Sequence, residues 1–89
     1  MPRLARLPTS MQLLAEQVLL AAGNLKEVAG WQDVSYPTLK KRVDALIVSL
    51  QALRREDDET VERLLARVER GEVQPEYAAR RIGEIRHGS

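Results

Sequence analysis

Apolar residues recur at three- and four-residue intervals in five stretches of the chain, which predicts helices and no strand. The first stretch holds Leu13, Leu14, Ala15, Val18, Leu19 and Ala22, a broad apolar face expected to be buried on more than one side. Thr9 or Ser10 is its expected cap, and Gly23 its stop near Ala22. The second helix is shorter. Asn24 can cap it, and Leu25, Val28, Ala29 and Trp31 are its apolar positions, with Trp31 expected as a core plug and not a stacking platform. The third is predicted from Tyr36 to about Arg54, with Leu39, Val43, Leu46, Leu50 and Leu53 spaced 4-3-4-3. That spacing is a heptad seam of about two heptads, which can pack on the chain's own helices or, from Ile47 to Leu53, on a second copy.

The acidic run Glu56-Asp57-Asp58-Glu59 reads as a linker, with Asp57 or Asp58 capping a fourth helix that ends at Gly71. Acids in a first turn also suit the helix dipole. Val61, Leu64, Leu65 and Val68 share a face of that helix, and Arg67 and Arg70 lie near its end. Gln74-Pro75 opens a fifth helix with Tyr77, Ala78, Ile82 and Ile85 apolar. The last two helices form a hairpin too poor in apolar surface to fold alone. His87-Gly88-Ser89 is expected as a tail. Residues 1–8, with two prolines and two arginines, are expected as a flexible arm. Arginines in such arms can enter a minor groove.

The predicted class is therefore all-α, a three-helix head with a C-terminal two-helix hairpin. The expected divisions are a flexible arm at 1–8, a helix-turn-helix domain at 9–55, and a hairpin and tail at 56–89. A chain of 89 residues is one small domain that buries about 60–65% of its unfolded surface. With no Phe, its core must be Leu, Val, Ile and Ala.

The chemistry centres on Gly23–Leu46, two helices joined by a tight turn. Ser35 is a good N-cap, and Pro37 falls in the first turn, where a missing N–H costs nothing. Asp33 occupies the turn, where the backbone passes through a left-handed conformation that Asp tolerates better than most residues. Tyr36, Lys40 and Lys41 lie off the apolar stripe, and Thr38 and Arg42 flank it. An apolar back with a Tyr, Thr and Lys front is what major-groove docking by a helix-turn-helix requires. The candidate DNA-contacting residues are Asn24, Lys26, Ser35, Tyr36, Thr38, Lys40, Lys41 and Arg42. Of these, Asn24, Lys26, Lys40, Lys41 and Arg42 would hold phosphates, and Tyr36, Thr38 and Lys40 would reach bases.

The same stretch resembles the helix-turn-helix of Fis-type bacterial DNA-binding domains, through Gly23-Asn24, Ala29, Val34-Ser35 and Thr38-Leu39-Lys40-Lys41. More closely, GNLKEVA and VSYPTLKKRVDALI are similar to an uncharacterised bacterial family regarded as transcriptional regulators. Its members usually join a zinc ribbon, this motif and a short C-terminal hairpin, which the ERGEVQPEYAARRI stretch resembles. The resemblance runs from about Met11 onward and implies a DNA-binding regulator. Two departures stand out. No cysteine is present to build the ribbon, and Gln32-Asp33 replaces the usual Leu-Gly pair.

Net charge is +1, but residues 1–55 carry +4 and residues 56–89 carry −3, which suits a DNA-binding head with a separate tail. No apolar run approaches the ~18 residues of a membrane span, and no signal-peptide core follows the N-terminus, so a cytoplasmic protein is expected. No catalytic constellation, cofactor motif or small-molecule substrate is evident. His87 is the single histidine, and the run from Asp57 to Glu62 is expected as a solvated face, not a metal site. Two binding functions are thus in view. One is a DNA-binding regulator acting as a homodimer through Ile47, Leu50, Leu53 and the hairpin. The other is a protein-interaction module that keeps the shape without DNA.

Overall fold

The computed structural model describes residues 2–87, and its regular elements are all helical: a 3-10 helix at Arg3–Arg6, then α1 (Thr9–Leu20), α2 (Leu25–Gln32), α3 (Tyr36–Glu69) and α4 (Pro75–His87). The all-α expectation holds, with no strand among the described residues. Met1, Gly88 and Ser89, which the expected arm and tail include, lie outside the described residues, and His87 is the last residue of α4. Among the described residues no helix is long and apolar enough to cross a membrane.

The expected linker at 56–59 does not exist. α3 runs 34 residues through it without interruption. No Pro or Gly occurs between Pro37 and Gly71, so no residue in that interval breaks a helix. The acids mislead because one of them belongs to the apolar stripe. The series Leu39, Val43, Leu46, Leu50, Leu53 continues by one more four-residue step to Asp57, which is only 6% exposed. Asp57 is therefore neither a cap nor part of a solvated linker.

Its partners come from the segment expected to be a loose arm. Arg3 Nε donates to Asp57 Oδ2 and Arg6 NH1 to Asp57 Oδ1, both at 2.8 Å. A 3-10 helix has three residues per turn, so Arg3 and Arg6 stand on the same side and reach one carboxylate together. Burial pushes the Asp57 carboxyl up. Hydrogen bonds and charge from Arg6 and Arg3 outweigh it and hold the group below the usual carboxylate range.

The chain divides into two compact units inside α3, between Leu50 and Gln51. In Leu7–Leu50, α1 packs on α2, and Leu7, Leu14, Ala21, Val28, Ala29, Leu39 and Leu46 are buried. α1 departs from its predicted broad burial. Leu14 is its one buried residue, Leu13 is exposed, and Leu19 and Leu20 are each 74% exposed. The apolar face is wider than the single stripe α1 sets against its neighbours. No side chain caps this helix either. Pro8 occupies the cap position, and its carbonyl accepts from the N–H groups of Met11 and Gln12. At the other end Ala22, φ 50°, enters the left-handed region ahead of Gly23, φ 82°. Gly23 N–H closes on Val18 O at 2.9 Å.

In the other unit, residues 2–6 with 51–87, the buried side chains are Asp57, Val61, Leu64 and Ala78. Gly71, φ 75°, turns the chain between α3 and α4, and Glu72 N–H closes on Arg67 O at 2.9 Å. Glu72 accepts from Arg70 at 2.9 Å, which holds its carboxyl below the usual range. The expected hairpin is thus the distal half of α3 followed by α4.

Asp57→Ala strips both arginines of their acceptor and empties one step of the stripe. The arginines keep about a third of their surface in water, so the expected loss is about 1–3 kcal/mol in urea unfolding. Asp57→Leu continues the stripe and is expected to recover most of that loss. Because the folded pKa of Asp57 is depressed, its contribution is complete above the unfolded value of about 4 and is lost as pH falls through the folded value. Asp57→Leu should lack that part of the acid dependence.

Candidate nucleic-acid interface

The candidate surface is built on two capped helices. Asn24 Oδ1 accepts from Glu27 N–H at 3.3 Å and starts α2. Ser35 Oγ accepts from Thr38 N–H at 3.3 Å and starts α3, as expected, with Pro37 in the first turn. Between them Asp33 sits at φ 55°, ψ 47°, in the left-handed region. Its N–H closes on Gly30 O at 3.2 Å, and Val34 N–H closes on Ala29 O at 3.0 Å. This double closure satisfies carbonyls at the end of α2 and sets the turn.

Leu39 anchors the start of α3 with 0% exposure. Around it Tyr36 is 45% exposed, and Thr38, Lys40, Lys41 and Arg42 are exposed as well. Lys26 and Asn24 are exposed on the first turn of α2 and just before it. The eight expected residues are thus all solvent-facing or on the cap, but their side chains are not equally available.

Asn24 and Ser35 commit their oxygens to the helix starts. Ser35 Oγ also donates to Thr38 Oγ1 at 2.9 Å, which leaves the Thr38 hydroxyl proton free to turn outward. Lys40 is not the unpaired lysine its position implies. Its Nζ donates to Asp44 Oδ1 at 2.9 Å, one helical turn on, and that hydrogen bond raises its pKa. Exposed pairs of this kind are screened by solvent and contribute little, so a phosphate can compete with Asp44. Lys41 makes no hydrogen bond or ion pair among the described residues.

Arg42 has a second commitment. Its NH1 donates to Gln32 Oε1 at 2.7 Å, and Gln32 Nε2 donates to Gln17 Oε1 at 2.7 Å. One relay therefore joins α3, the end of α2 and α1. Gln32, which stands where the resembled family has Leu, is the centre of that relay. Its inward placement also explains Trp31. Val28, Ala29 and half-buried Gln32 face the core, and Trp31 is left 52% exposed instead of filling the interior. No motif announces this relay. The legible signal is the spacing of Gln32, four residues after Val28 and three after Ala29, on the inward face of α2.

The charge balance differs from the expected basic head. Arg3, Arg6, Arg54 and Arg55 belong to the other unit. Leu7–Leu50 keeps Lys26, Lys40, Lys41 and Arg42 against Glu16, Glu27, Asp33 and Asp44, and is formally neutral. Any positive field here is local to Lys40-Lys41-Arg42. Among the described residues no group of three or more His, Asp or Glu is placed to hold a metal ion.

A family model described as Domain of unknown function (DUF2089)-HTH matches residues 7–53, more than half of the chain. The match spans α1, α2 and the first half of α3. No curated protein and no solved structure matches the chain.

Asp33 holds a conformation that only glycine adopts without cost. Asp33→Gly is expected to raise stability by about 0.5–1 kcal/mol, the relief of left-handed strain less the added freedom of the unfolded chain. Thermal unfolding checks this. A fall in melting temperature would show that the Asp33 side chain holds the turn.

Proposed function

We propose that this chain, which belongs to the Domain of unknown function (DUF2089)-HTH family, binds double-stranded DNA and acts as a transcriptional regulator. One observation carries the reading. The first turns of α3 bury Leu39 completely while Tyr36, Thr38, Lys40 and Lys41 stay in solvent on a helix long enough to lie in a major groove. In this reading Lys41 and Lys26 meet phosphates directly. Lys40 leaves Asp44 for a phosphate or a guanine edge, and Tyr36 and Thr38 face bases or sugar. Arg42 contributes through the guanidinium N–H groups that Gln32 does not use. The docking is of the Fis type. A homodimer would set two such helices about 34 Å apart, one turn of DNA. The protein is a binder and not an enzyme, since catalysis needs an acid, base or nucleophile in a shaped site.

A second reading draws on the exposed leucines. Leu13, Leu19 and Leu20 leave apolar surface on α1 in water, which suits a protein partner. In that case the lysines of α3 would be dispensable.

Fluorescence anisotropy with labelled duplex DNA separates the two. The double change Lys40→Ala/Lys41→Ala is expected to abolish binding while the unfolding transition stays nearly unchanged, because both side chains are exposed. Lys41→Ala should weaken binding more than Lys40→Ala, since Asp44 already shares Lys40. For every phosphate that a variant no longer neutralises, the log–log salt slope should flatten by about 0.9. Unchanged affinity in the double variant, or no binding by the wild type at low salt, turns the assignment to the protein-interaction reading.

A further inference from the structure

We propose that the groove between α1, the end of α2 and α3 is a binding site for a small amphipathic carboxylate. The groove has a volume of about 460 Å³. That lies within the ~300–1,000 Å³ typical of small-molecule pockets. It is formed wholly within Leu7–Leu50. Its lining is of two chemical kinds. Met11, Leu13, Leu14 and Ala45 make an apolar trough. Gln17, Gln32 and Arg42 make a polar wall, and Arg42 is the single charged residue in the lining. An apolar body carrying one negative charge matches both kinds at once.

The polar wall specifies the anion further. The Arg42 guanidinium gives NH1 to Gln32 and makes no other hydrogen bond among the described residues. Its remaining N–H groups form a planar fork, which a carboxylate accepts in bidentate fashion in place of the DNA contact proposed above for the same groups. No acid lines the groove to cancel that charge, and no second cation is there to favour a dianion. In the apolar part of the lining Leu13 keeps surface in water that a ligand chain would cover. A ligand held here draws on the guanidinium that ties α3 to Gln32, so its occupancy bears on the packing of the turn.

The test is a titration of the whole isotope-labelled chain with octanoate, kept below its micellar range and followed by amide chemical shifts, with octanol as the neutral comparator. Saturable shifts are expected at residues 10–17, 32 and 42–45, with octanoate binding at least about tenfold tighter than octanol. Arg42→Met keeps the apolar stem and removes the fork. It should bring octanoate to the level of octanol and leave octanol unchanged, which also shows that the groove is intact. Lys41→Ala should retain the octanoate preference. Absence of saturation, shifts centred outside the groove, or an octanoate preference that survives Arg42→Met would overturn the proposal. No DNA enters the assay, so its outcome is independent of DNA binding.

Discussion

A helix that buries one stripe must fill every step of that stripe with a group that can leave water. In α3 the steps are aliphatic from Leu39 to Leu53, and the next one is Asp57. A bare carboxylate there would cost several kcal/mol in desolvation. Two arginines one 3-10 turn apart meet it, one oxygen each. That arrangement lets a single helix pass through the acidic run and gives the N-terminal residues a fixed partner. It also lets one helix serve two units, with its first half in the helix-turn-helix and its second half leading to α4.

The same logic holds at the other end of α3. Leu39 and Val28 are fully buried, and the helices that carry them are fastened at each joint: a capping Asn24, a left-handed Asp33, a capping Ser35. Behind this lies the Gln17–Gln32–Arg42 relay, where a Leu at position 32 would offer only packing. The result positions a short exposed face of Tyr36, Thr38, Lys40 and Lys41 around the buried Leu39, and of those four side chains only Thr38 and Lys40 make hydrogen bonds within the protein, to Ser35 and Asp44. With a neutral unit behind it, such a face depends more on shape and on a few directed contacts than on a broad basic surface.

Much of this was legible from local chemistry. The all-α class, both caps, the left-handed turn at Asp33 and the inward Leu39 follow from residue type and spacing, which local backbone physics controls. What was not legible depends on which partner a side chain finds, near or distant. Asp57 looks like a linker acid until Arg3 and Arg6, more than fifty residues away, are placed beside it. Trp31 looks like a core residue until Gln32 takes the inward position. Lys40 looks free until Asp44 is seen to accept from it, although its i,i+4 spacing was readable. The exposed Leu19 and Leu20 show the limit of periodicity. It reveals where a helix is apolar, not how much of that surface its neighbours cover.

The proposed function stands or falls on whether the face opening α3 meets DNA. The deciding measurement adds a mixed-sequence duplex at low salt to the isotope-labelled chain and follows amide and side-chain shifts. Changes are expected at Tyr36, Thr38, Lys40 and Lys41, with Lys26 beside them, and should fade as salt rises. An unchanged spectrum, or changes confined to Leu13, Leu19 and Leu20 on α1, would contradict it.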